Sequence, residues 1–224
     1  DAPAVIIILA AVIGVFYVMY GRKISANEEH RKAIMELDEN DYIKDRRLLH
    51  IGRLVKWKRV DLLIEAFRKV AADYPEAELV IVGDGPELDR LKQQASDLQL
   101  ADRIRFIGAV YDPKMLGAYM NESSIYVLAG MGGLSINDAM TYGMPVLCAV
   151  CDSTERDLVM EGRNGYFFKD GDADSLAERI REMFESPERC REMGKESERI
   201  IREKINMETV SKRYLKAFQE IISQ

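Results

Sequence analysis

From residue 47 onward the sequence alternates without a break between short apolar runs and longer stretches with helical spacing. That alternation limits the fold more than any other feature. RLLHIG (47–52), ELVIVG (78–83), RIRFIG (103–108), SIYVLA (124–129), PVLCAV (145–150) and GYFF (165–168) read as strands. DLLIEAFRKVAADY (61–74) has apolar residues at 62, 63, 66, 67 and 70, the spacing of one helix face. A helix from 87 to about 98, a short one over PKMLGAYMN and another after Leu134 follow, with helices at 173–185, 188–204 and 207–222 closing the chain. Short apolar strands alternating with helices predict an α/β protein, a doubly wound parallel sheet covered on both faces.

Sheets of this kind bind ligands outside the carboxyl ends of their strands. The candidate loops are therefore 52–58, 83–87, 108–114, 130–135 and 151–157. The most informative is within LAGMGGLSINDAMTYGMPV (128–146). Gly132 and Gly133 allow backbone to approach a ligand closely, and the amides of Leu134 and Ser135 open a helix, an end that attracts anions. A tight turn needing glycine only for its φ angles is the competing reading. GRLVKWKRVD (52–61) adds Arg53 directly after a strand-ending glycine and Lys58 five residues on. An Arg fork and a Lys point charge both suit phosphate, although either alone is an ordinary surface residue. Two cations and a helix start converging on one sheet edge suggest a diphosphate, with Asp138 one turn in to accept from ribose hydroxyls.

HIGRLVKWKRVDLLIEAF, LVIVGDGPELDRL, IRFIGAVYD, GGLSINDAMTYGMPV and DLVMEGRNGYFFKDGDADSLAERI, in this order, resemble the donor-binding half of a family 4 glycosyltransferase of the GT-B type. The resemblance covers residues 47 to 222 and implies a Rossmann-like domain, 47–224. It implies that Arg53 and Lys58 contact the diphosphate of a nucleotide-sugar, that backbone near Val110 meets the base, and that Gly133, Leu134 and Ser135 meet phosphate. The family's E-x7-E pattern falls on Gly130 and Asp138, so the second acid is one methylene shorter and the first is absent. In the family that first Glu contacts the donor sugar. Bacterial sugar transferases with a Pro-Gly-x-x-Gly-Leu loop resemble this stretch more closely, which makes Gly130 a subfamily trait.

The resemblance further implies sugar transfer with retention to a glycan or lipid-linked acceptor in polysaccharide synthesis, without a metal and with no cofactor beyond the nucleotide-sugar substrate. A GT-B enzyme carries its acceptor site and a donor-contacting His on a first domain, for which there is no room here. His30 lies in a polar segment and His50 inside a strand, so no catalytic residue is assigned. The chain is then a fragment, a subunit whose protein partner supplies the acceptor half, or inert. An epimerase on the same fold and a non-catalytic membrane-tethered subunit that binds nucleotide-sugar or a partner are the alternatives.

Residues 2–20, APAVIIILAAVIGVFYVMY, carry no charge and end against Arg22 and Lys23. At 1.5 Å per residue they reach roughly 28 Å, about a bilayer's hydrocarbon thickness. A single transmembrane helix over 2–21 is expected, with the Arg-Lys pair placing the following domain in the cytoplasm; a buried segment of a soluble domain is the alternative. Residues 24–46 turn strongly polar, and Ser25 with Glu28 forms a capping box for a charged juxtamembrane stalk.

The remaining features exclude more than they add. Lys and Arg total 32 against 38 Asp and Glu, a net charge of -6 that argues against nucleic acid. Three cysteines make no disulfide framework. Cys148 and Cys151 form a C-x-x-C without a second pair or a His to complete a zinc set. Trp57 is read either as a base-stacking residue or as a lip packing its own loop. Met140 and Met183 fall at helical spacing and are assigned to the core. Glu155 and Asp157 are expected on a strand-end loop near the sugar.

Overall fold

The structure, a computed structural model, describes residues 46–132, 134–151 and 155–222. Residues 46–198 of these belong to one compact unit and 199–222 to a second. The strands are β1 (Arg47–Ile51), β2 (Glu78–Val82), β3 (Ile104–Gly108), β4 (Ile125–Leu128), β5 (Val146–Ala149) and β6 (Gly165–Phe168). The helices are α1 (Val60–Ala71), α2 (Leu88–Asp97), α3 (Pro113–Asn121), α4 (Ser135–Thr141), α5 (Glu155–Leu158), α6 (Ala173–Glu185), α7 (Pro187–Lys204) and α8 (Met207–Ile222). α7 runs from the first unit into the second, to which α8 belongs.

All six strands are parallel, in the order β3-β2-β1-β4-β5-β6. The chain winds outward from β1 to β3, then returns to the other side of β1 and winds outward again from β4 to β6. The direction reverses between β1 and β4, and the crevice beyond their carboxyl ends is the natural ligand site of such a sheet. Every residue of β4 and β5 is buried, which is why these strands read as unbroken apolar runs.

α1 packs against α6 over one face of the sheet. Leu63, Phe67 and Val70 of α1 join Leu176 and Ile180 of α6 on Leu48, Ile81 and Val127. At the amino end of the sheet Arg103 donates to the carbonyl of Ala71, at the end of α1, and to those of Tyr74 and Ala77 in the connection to β2. α6 starts where Asp172 accepts from the amides of Asp174 and Ser175, both at 3.1 Å.

Two short elements depart from the sequence reading. Lys56–Lys58 forms a 3-10 turn, and Glu155–Leu158, expected as loop, forms α5. A single turn is too short to carry a periodic apolar pattern. No helix among the described residues is long and apolar enough to cross a membrane. The expected span over 2–21 and residues 24–45 of its polar stalk lie outside the described residues, and Arg46, the stalk's last residue, pairs with Glu76 and lies over the Tyr74 ring.

Candidate functional site

The strand order brings three loops side by side at the carboxyl edge: β2–α2, β1–α1 and β4–α4. They touch backbone to backbone. Gly52 N donates to Val82 O at 3.0 Å, Leu54 N to Asp84 O at 2.9 Å, and Glu87 N to Leu54 O at 3.1 Å. Gly83, at φ 147°, has the Gly52 carbonyl oxygen where a side chain would begin, 1.8 Å from an ideal Cβ. Only glycine permits that approach.

On the other side the β1–α1 loop lies against Gly130. A Cβ at Gly130 would stand 2.2 Å from the Trp57 carbonyl oxygen, 2.7 Å from the Lys58 carbonyl carbon and 2.9 Å from the Lys58 oxygen. Met131 N donates to the same Trp57 oxygen at 2.9 Å. The absent acid is thereby explained: the 3-10 turn occupies the volume in which any side chain at 130 would start. The turn ends on Arg59 in the left-handed region, φ 51°, which redirects the chain into α1.

Lys58 closes this contact from its side chain. Its ammonium donates to the Met131 carbonyl at 2.8 Å and to the Gly132 carbonyl. The sequence leads one to expect Lys58 as a phosphate ligand; in the structure its ammonium clasps the glycine loop at the carboxyl edge. Arg53 is exposed after β1, and among the described residues nothing pairs with its guanidinium. Leu134 is 72% exposed at the cap of α4 and Ser135 is half-buried as its first residue. The Leu134 carbonyl takes Asn137 N at 3.0 Å and Asp138 N at 3.3 Å. The amides of Ser135 and Ile136 precede that ladder and have no intrahelical acceptor. α4 has only seven residues, so these directed N–H groups matter more than its dipole.

Asp138 lies in the first turn of α4, close enough to Tyr126 and Tyr142 for its charge to push both phenols upward, after the larger effect of burial. Arg53, Lys58, Leu134, Ser135 and Asp138 thus share the edge around the crevice between β1 and β4. Val110 is half-buried in the loop after β3, which stands two strands from β1 in the sheet order. Gly133 lies outside the described residues.

Several side chains have environments that the sequence did not disclose. His50 is fully buried on β1, with Nδ1 3.0 Å from the Val127 carbonyl oxygen. Burial, opposed by that hydrogen bond and aided by the charge of Lys58, lowers its pKa to about 4. It is a neutral imidazole that ties β1 to β4. Tyr126, fully buried on β4, reaches Ser135 Oγ at 2.6 Å. A single phenol in an otherwise aliphatic strand was the available signal, because a buried hydroxyl demands a partner. Glu155 is fully buried in α5, contrary to its expected place on a loop, whereas Asp157 is exposed. Cys148 is buried and its thiol is pushed up by desolvation and then by the charges of Glu155 and Cys151, which makes it inert as a nucleophile. Trp57 remains 55% exposed, so it is a lip residue that does not bury itself in its own loop.

Comparison with known proteins agrees with this architecture. The chain is 27% identical over 171 residues to an uncharacterized glycosyltransferase of Haemophilus influenzae, covering 75% of this chain and 47% of that protein. It spans about half the length of the curated relatives it matches. Among solved structures, S. aureus TarM in complex with fondaparinux, alpha-GlcNAc-glycerol and UDP superposes with a TM-score of 0.72 at 23% identity, over 78% of this chain and 35% of TarM. The C-terminal domain of the Francisella tularensis group 1 glycosyl transferase LpcC superposes with a TM-score of 0.67 at 20% identity, over 76% of this chain and 94% of that domain. Residues 35–200 match the family model for glycosyl transferases group 1, and the chain belongs to that family.

Proposed function

We propose that this chain is the donor-binding half of a family 4 glycosyltransferase. It binds a nucleotide-sugar with the diphosphate in the crevice between β1 and β4 and gives up the sugar, with retention, to a glycan or lipid-linked acceptor in polysaccharide synthesis. The observation that carries this reading is the convergence of Arg53, the Lys58-clasped glycine loop and the leading amides of α4 at the switch point of the sheet. Positive charge and directed N–H groups in that position stabilise the departing nucleoside diphosphate. UDP in the complex of TarM supports the choice of ligand class. Asp138 is assigned to ribose hydroxyls and the backbone near Val110 to the base, and no cofactor beyond the donor enters the scheme.

The acceptor half is assigned to a second body. Trp57, Tyr111, Met115, Met131 and Leu134 are exposed large apolar side chains, and all lie on carboxyl-edge loops or the start of α3. An apolar rim gathered at one edge supports a covering surface, from a partner protein or another part of a longer chain. The uncharged run 2–20 is assigned to anchor the unit to a membrane with its site facing the cytoplasm. Membrane fractionation of the full chain against a version starting at residue 24 tests that point.

The donor reading is tested by calorimetric titration of the full chain with UDP-, GDP- and ADP-sugars. Saturable binding of one class, displaced by its nucleoside diphosphate, is expected. A folded chain that binds none of them contradicts the proposal.

A further inference from the structure

The β4–α4 connection contains a pair of hydroxyls that the donor-binding scheme leaves unused. The phenol oxygen of Tyr126 lies 2.6 Å from Ser135 Oγ and 3.3 Å from the carbonyl oxygen of Ile51, at the last residue of β1. Tyr126 therefore joins both strands that flank the crevice to the first residue of α4. Its side chain is wholly buried, and burial holds the phenol protonated well above its ordinary range.

A carbonyl only accepts, whereas a serine hydroxyl accepts and donates. Two arrangements of the same two protons are consequently available. In one, the phenol donates to Ile51 O and Ser135 donates to the phenol, so both protons are used inside the protein. In the other, the phenol turns to donate to Ser135 Oγ, and the proton of Ser135 is released to a ligand beside the glycine loop. The second arrangement leaves both hydroxyl protons donated and polarises Ser135 as a donor.

We propose that Tyr126 is a positioning residue of the phosphate site: it holds Ser135 in one rotamer and takes over its acceptor side when Ser135 donates to a donor phosphate oxygen. The inference rests on the reading that Ser135 and the leading amides of α4 meet the diphosphate. It adds a residue that never touches the ligand and acts through one that does.

The test is a double-variant cycle on the full chain, read by calorimetric titration with UDP, GDP and ADP and carried through with whichever binds most tightly. Tyr126→Phe keeps the ring and removes one hydroxyl, and is expected to weaken binding about three- to tenfold. Ser135→Ala is expected to weaken it at least as much, and the double variant no further than Ser135→Ala alone. A residue that merely stiffened the loop would act equally in both backgrounds. Multiplicative losses in the double variant, or a folded Tyr126→Phe with wild-type affinity, overturn the proposal. If Tyr126→Phe does not fold, Ser135→Thr decides: affinity within about twofold of wild type, with Ser135→Ala clearly weaker, supports the hydroxyl, and equal affinity for all three overturns it. A folded wild type that binds none of the three nucleotides refutes the donor reading itself and this inference with it, an outcome distinct from binding without coupling.

Discussion

Replacing Gly130 by alanine adds one methyl group at a point where the β1–α1 turn already occupies the space. The new Cβ would lie 2.2 Å from the Trp57 carbonyl oxygen. Ordinary carbon–oxygen contacts stand at about 3.3 Å or more, so the two loops must part by roughly 1 Å. That displacement breaks the 2.9 Å hydrogen bond from Met131 N to Trp57 O and loosens the grip of Lys58 on Met131 and Gly132. Losing a backbone bond with its donor left unsatisfied costs about 1–3 kcal/mol, and forcing the methyl into packed backbone adds about 1–3 kcal/mol. The entropy that alanine removes from the unfolded chain returns less than about 1 kcal/mol. A net loss of about 3 kcal/mol is expected, seen as a lowered midpoint in urea denaturation and a melting temperature lower by about 6–12 °C. Gly130→Glu is expected to lose as much, because the collision occurs at Cβ before the carboxylate is reached, and to gain no affinity for a nucleotide-sugar. Gly130→Ala within about 0.5 kcal/mol of wild type, or Gly130→Glu binding a donor more tightly, would refute the steric account.

His50 makes stability depend on acid. Its folded pKa of about 4 lies below the unfolded value of 6.5, so between those values the unfolded chain binds the extra proton. Stability is full above pH 6.5, falls as pH drops toward 4 and levels off below, by about 3 kcal/mol in all; denaturation midpoints between pH 7.5 and 4.5 should decline less steeply in His50→Asn, and parallel declines would contradict this. Arg103→Met removes the guanidinium that donates to the carbonyls of Ala71, Tyr74 and Ala77, of which Tyr74 O keeps the amide of Ala77. It is expected to cost about 2–4 kcal/mol in urea denaturation while leaving nucleotide affinity unchanged, because Arg103 sits at the opposite edge of the sheet.

The strands and long helices were legible because each buries a continuous face. GYFF at 165–168 and the helix 173–185 agree with the structure residue for residue, the first as an apolar run and the second through its spacing behind the Asp172 cap. Strand order was not read from the sequence, and alternation with helices carried the expectation only as far as a site at the carboxyl edge. What sequence reasoning missed depends on contacts between distant segments. It noted the missing acid at Gly130 without its cause, since the obstructing carbonyls belong to Trp57 and Lys58 on another loop. It expected Lys58 to meet phosphate and did not foresee the clasp on Met131 and Gly132, which required the neighbouring loop to be in place. Tyr126 looked like one more buried residue of β4 until Ser135 was folded over it. Glu155 was assigned to a loop because a one-turn helix leaves no periodicity to read.

The most direct test of the donor site is titration of the full chain, wild type and with Arg53→Ala plus Lys58→Ala, with the nucleotide-sugar that binds most tightly. The double variant is expected to lose at least a hundredfold in affinity, about 2.7 kcal/mol at two charge-assisted contacts, with its fold intact by circular dichroism. Unchanged affinity in a folded double variant would contradict a diphosphate held between β1 and β4.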